Sequence, residues 1–197
     1  MSETTRSLAP PGIEAVWFHA EAGLARAAAE NIVARASRRL AVPCHLHPRP
    51  WENAPVRLDG REQVDADRLL ADLEVSAGPG SVHIGLTTLD LGLALFTFVF
   101  GRATRNGRAA VVSFARLGPE QYGLAADPNL TARRAVAEIM HELGHVAGLG
   151  HCSDVGCIMQ FAASVERIDL RGLEFCPSCA AALPRHLLTA AHVTPPA

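Results

Sequence analysis

Apolar positions along the chain outline its elements before any chemistry is considered. Ile13 to Phe18 is a short apolar-rich run and predicts a first strand. From Ala20 to Leu40, apolar residues return at helical spacing (Leu24, Ala28, Ile32, Ala36), which predicts a helix. Val42 to His47 reads as a second strand, stopped by Pro48 and Pro50, and Pro48 to Gly60 as a proline-rich connection that could shape a cleft rim. Asp65 to Glu74 is helical, with Leu69, Leu70 and Leu73 on one side. Beyond the breaker Gly78-Pro79-Gly80, strands are predicted over Ser81–Thr87, Ala94–Phe100 and Arg108–Arg116. Asn106-Gly107 between the last two is a hairpin signal. Asp127-Pro128 or Thr131 can then cap a long helix running through Ala147, with Val136, Ile139, Leu143 and Val146 facing the core.

Helical crossovers between strands imply parallel pairing, and the hairpin forces one antiparallel neighbour. The expected fold class is therefore α/β, a mixed sheet with one antiparallel edge strand. Residues 1–12, polar and then breaker-rich, read as a disordered tail, and residues 189–197 as a flexible one. The longest apolar stretch, Leu91 to Phe100, is about half of what a bilayer-spanning helix needs. The N-terminal residues lack the charged-then-apolar pattern of a secretory signal, so a soluble cytoplasmic protein is expected.

Composition narrows the picture. The 197 residues suffice for one domain or two subdomains around a cleft, and 49% hydrophobic against 19% charged argues against wholesale disorder. A net charge of -2 supplies no field for nucleic acid or an anionic membrane, so neither is an expected partner. All 18 basic residues are arginine, which excludes a catalytic lysine. The 5 cysteines and 9 histidines are unevenly spread: four cysteines fall between 152 and 179, with three histidines just before them.

Those histidines begin with His141-Glu142-Leu143-Gly144-His145 on the long helix. Four residues apart, His141 and His145 share a helix face and can direct two nitrogens at one Zn²⁺. Glu142 sits about 100° around the axis, beside a bound metal, where it can take a proton from an activated water. Gly148 can adopt positive φ, end the helix and bring His151 back as a third ligand. Three imidazoles leave a fourth position open, as a catalytic zinc requires. Met159 follows as a candidate Met-turn packing beneath the imidazoles.

Cys152, Cys157, Cys176 and Cys179 form two pairs of thiols that fit a tetrahedral structural Zn²⁺. A redox Cys-x-x-Cys, or two disulfides in an oxidising compartment, are the alternatives. His45 and His47 share a strand face beside the spare thiol Cys44. They could bind metal, although a partly exposed strand pair is the ordinary reading.

The whole run, His141-Glu142-x-x-His145-x-x-Gly148-x-x-His151-Cys152, then Cys157-x-Met159, then Cys176-x-x-Cys179, resembles the archaemetzincin family. A looser resemblance extends through Gly85-Leu86-Thr87, Phe98-Val99-Phe100-Gly101 and Val112-Ser113-Phe114-Ala115-Arg116. The resemblance implies a metzincin-like fold: an upper subdomain over 13–148 ending in the active-site helix, and a small zinc-stapled lower subdomain over 149–188. It implies two Zn²⁺, one catalytic on His141, His145 and His151, one structural on the four cysteines. The implied activity is zinc-dependent hydrolysis of peptide bonds with Glu142 as general base and acid, aminopeptidase or endopeptidase. A peptide or protein substrate would pair along the 94–100 edge strand. A non-catalytic zinc-stabilised protein-binding module and a thiol redox sensor on Cys176 and Cys179 are the competing readings. No tyrosine follows Met159, and the lone Tyr122 precedes the helix, so the sequence assigns no second oxyanion stabiliser.

Overall fold

The computed structural model describes residues 13–48 and 55–188. The two terminal tails, and residues 49–54 of the proline-rich connection, lie outside the described residues. The chain runs β1 (Ala15–Ala20), α1 (Arg26–Ser37), β2 (Cys44–Pro48), β3 (Val64–Asp65), α2 (Ala66–Ser76), β4 (Ser81–Thr87) and β5 (Leu91–Leu93). It continues with β6 (Phe96–Val99), β7 (Gly101–Ala103), β8 (Ala109–Ser113), α3 (Pro128–Val146), α4 (Val165–Leu170) and α5 (Pro177–Ala182).

The main sheet has the order β2-β1-β4-β8-β7. The first four strands are parallel, and β7 pairs antiparallel with β8. This is the mixed α/β sheet with one antiparallel edge strand. Alternation explains its two faces. Val16, Phe18, Val82, Ile84, Ala110 and Val112 pack with α1 and α3 in one core. Ala109 and Val111 point the other way and pack with Leu69, Leu70 and Leu73 of α2. Asp65 caps α2 by accepting from the Asp67 N–H, and Asp127 caps α3 by accepting from the N–H groups of Asn129 and Leu130.

Three differences from the expectation matter here. The first helix starts at Arg26, because β1 continues to Ala20 and Glu21 then turns to accept from the hydroxyls of Thr87 and Thr88. The expected edge strand 94–100 is not the edge of the main sheet: it contains only β6, which pairs with β5 in a separate sheet of order β3-β5-β6, and the antiparallel edge is the next strand, β7. The hairpin turn holds, spanning Thr104–Gly107 with Asn106 at φ 55. Third, the short elements α4, α5, β3, β5 and β7 carry too few residues to show a period.

Candidate metal centres

The last turn of α3 builds the first centre. Gly148, at φ 101, reverses the chain. Its N–H donates to the His145 carbonyl and the Leu149 N–H to the Gly144 carbonyl, at 2.9 Å each, which closes the helix end. The same reversal fixes a ring: His145 Nδ1 lies 2.9 Å from the Leu149 carbonyl. His141 Nδ1 lies 2.8 Å from the Ile158 carbonyl. With each Nδ1–H donated to a carbonyl, each Nε2 presents a lone pair. The two Nε2 atoms converge to 3.1 Å. His151 joins them, its ring 5.4 Å from His141 and 4.9 Å from His145. All three ligand nitrogens lie within 4.8 Å of one another.

These residues fit a zinc ion. Tetrahedral nitrogens on zinc at ordinary bond lengths stand roughly 3.3 Å apart, close to the observed separation. Burial, then the Arg171 guanidinium, holds His141 well below the usual imidazole range. Burial also lowers His145 and His151, so all three favour the neutral form a metal requires.

Met159 is fully buried beneath α3. A Cβ on Gly144 would overlap the Met159 sulfur and come within 3.2 Å of Phe175. The glycine between the two helix ligands therefore lets the methionine seat directly against the helix.

The second centre follows from the residue after His151. The Cys152 N–H donates to the Met159 carbonyl at 2.9 Å, folding the loop so that His151 faces α3 and Cys152 turns away. Cys152 Sγ lies 3.9 Å from Cys176 Sγ, near the roughly 3.8 Å between thiolates on tetrahedral zinc. The four sulfurs lie within 4.8 Å of one another, and all five cysteines are free thiols. The backbone N–H groups of Asp154 and Cys176 donate to the sulfurs of Cys152 and Cys157. Burial pushes the Cys157 and Cys179 thiols up, whereas a hydrogen bond from the Cys179 backbone lowers Cys176. Four clustered thiols cannot all ionise unaided, and a divalent cation would remove that conflict.

A cleft of about 390 Å³ opens on the first centre. It is walled by Phe96 and Phe98 of β6, Gly101 and Arg102 of β7, the ligand face of α3, and Phe161 and Arg171 opposite. Glu142 lies on its floor, 5% exposed. Burial, then the charge of Glu138, raises its carboxyl well above the usual range. The tip of the β7–β8 hairpin docks on the end of α3, with the Asn106 N–H on the His145 carbonyl and Arg105 Nε on the Gly148 carbonyl.

Two residues at the site escaped the sequence reading. Arg171, 1% exposed, donates to the Gln160 carbonyl at 3.0 Å and to Glu138, and its guanidinium lies 3.2 Å from His141 Nδ1. Glu138 stands one turn before His141, so helical spacing could have found it; no local pattern marks Arg171. Tyr122 donates to the Arg116 carbonyl at 3.0 Å and is not part of the cleft wall.

Comparison with known proteins gives a consistent result. The sequence model of Peptidase family M54 matches residues 62–185. The archaemetzincin of Thermococcus kodakarensis is 46% identical over 104 residues, 53% of this chain and 56% of that protein. That of Methanopyrus kandleri is 43% identical over 127 residues, 64% of this chain and 69% of that one. The matched stretch thus spans just over half of the first relative's length. Among solved structures, the archaemetzincin of Archaeoglobus fulgidus complexed with malonate has a TM-score of 0.73 at 28% identity, covering 86% of this chain and 99% of that one. The Methanopyrus kandleri structure has a TM-score of 0.71 at 34% identity, covering 89% and 96%.

Proposed function

The chain belongs to Peptidase family M54, and from that premise we propose that it is a zinc-dependent peptidase of the metzincin type. The observation that carries this reading is the convergence of three imidazoles beside a buried carboxylate on the floor of an open cleft. His141, His145 and His151 would hold the catalytic zinc, and Cys152, Cys157, Cys176 and Cys179 a structural one. When bound, zinc supplies a Lewis acid that acidifies water and polarises a carbonyl. Glu142 takes the proton of the attacking water on a carboxylate oxygen and returns it to the leaving amine. Arg171, donating to the Gln160 carbonyl and to Glu138, ties the segment after Met159 to α3 beside His141.

In this reading residues 13–148 form the upper wall and 149–188 the lower. An extended peptide pairs with the free edge of β7, beside Glu142, and continues past β6. Phe96, Phe98 and Phe161 favour apolar side chains nearby. No helix among the described residues is long and apolar enough to cross a membrane, and a reducing, cytoplasmic setting suits the free thiols. Glu142 speaks against a purely structural zinc module, which has no use for a buried carboxylate in its cleft.

The test is digestion of a peptide library by the native protein and by Glu142→Ala at equal zinc content. Loss of cleavage by at least about a hundredfold in the variant is expected. Undiminished cleavage would refute the assignment. The fragments also decide between release of N-terminal residues and internal cuts.

A further inference from the structure

A second imidazole cluster lies across the main sheet from α1 and α3. Val16 and Phe18 of β1 enter the α1–α3 core, so the alternate residues Trp17 and His19 face the other side. Strand register then lines up two rows. Trp17 stands opposite His45 on one neighbour and His83 on the other. His19 stands opposite His47 and Gly85. Four histidines from three strands thereby share one face of the sheet.

One pair among them has the separation of the helix ligands. His19 Nε2 lies 3.2 Å from His83 Nδ1, and the rings are 4.8 Å apart. The helix pair His141 and His145 shows 3.1 Å and 4.7 Å. His47, exposed on β2, has its ring 6.5 Å from His19 and would have to turn toward it to join. The hydroxyls of Ser76 and Ser81 lie 3.4 Å and 3.5 Å from the His83 nitrogens. The side chains these rows bring together are imidazoles, which suit borderline transition metals.

We propose that His19 and His83, completed by His47, bind a transition-metal ion of the Cu²⁺/Zn²⁺ class at a third site, remote from both centres described above. The ion would tie β1 to β4 and β2. Nothing in this inference depends on the peptidase reading.

Trp17 provides the readout, because it stacks on His45 at 4.4 Å and lies 5.1 Å from His47 and 6.3 Å from His83. The chain has 2 tryptophans, so Trp51→Phe leaves Trp17 as the sole reporter. Zinc-loaded Trp51→Phe protein is titrated with Cu²⁺ while fluorescence is followed, and the copper spectrum is read for nitrogen ligands by electron paramagnetic resonance. Saturable quenching with a multi-nitrogen signature is expected. His83→Gln should weaken it by at least about tenfold and His47→Gln by several-fold. Both positions are at least partly exposed, so these variants should fold even where His19→Gln does not. Absence of saturable quenching, or a His83→Gln titration like the parent's, would mean an imidazole–imidazole hydrogen bond and overturn the site.

Discussion

Gly101 and Glu142 meet at the edge of the cleft: a Cβ on Gly101 would lie 2.6 Å from Glu142 Oε1 and 2.9 Å from its Cδ. The first residue of β7 therefore has to be bare for the carboxylate to keep its place. Gly101→Ala should displace the carboxylate while leaving the imidazoles alone. The expected result is a fall of about 10- to 100-fold in kcat/KM at unchanged zinc content. Peptide hydrolysis and metal analysis on the same preparation check it, and full activity would show that the carboxylate tolerates the shift.

Arg171 and Glu138 form a buried ion pair beside His141. Burial pushes the Glu138 carboxyl up and Arg171 pulls it back. Arg171→Met strands that carboxyl and should cost about 3–5 kcal/mol, a fall in Tm of roughly 6–20 °C. Glu138→Gln combined with Arg171→Met should recover much of the loss. Thermal melts of the two variants settle it; a single variant melting with the parent would refute the coupling.

Metal removal should proceed in two stages. Chelation should strip the three-imidazole centre first, because His151 is exposed. Activity should vanish while far-ultraviolet circular dichroism stays constant, and added Zn²⁺ should restore it. Removal of the thiol-bound ion should require harsher treatment and bring loss of structure in residues 149–188. Release of one zinc only, or of two together, would contradict the assignment of separate catalytic and structural ions.

Arg61 fastens the cleft rim, donating from one guanidinium to the carbonyls of Leu93 at 3.0 Å, Phe96 at 2.7 Å and Thr97 at 2.6 Å. Arg61→Ala should loosen the β5–β6 hairpin, seen as faster cutting there by an added protease and a KM raised about two- to fivefold. Arg61→Lys should rescue only in part, since a single ammonium does not span three carbonyls. An unchanged cutting rate in Arg61→Ala would show that the hairpin holds by itself.

Much of this site is legible from spacing, because its ligands sit on or just after one helix. The period of α3 sets His141 against His145, and Gly148 announces the reversal that returns His151. The rest depends on pairings distant in sequence. Alternation through Ala94–Phe100 is the same whether a strand joins β5 or β8, so its pairing with β5 is invisible locally. Arg171 reaches Glu138 only after α4 has folded back, and six residues of α1's expected first turns (20–25) are taken by the end of β1 and the turn after it. The His19–His83 pair is hidden for the same reason, since only the register of β1 on β4 brings these residues together.

His151 and Cys152 are joined by a single peptide bond, and this has a bearing on biosynthesis. On the ribosome the three imidazoles emerge first, then Cys152 and Cys157, and last Cys176 and Cys179. The loop that carries His151 gains its sulfur anchor only when that final pair has been made. On the proposed assignment, the loop that carries His151 is therefore set only once residues 176–179 are available to close the thiol cluster.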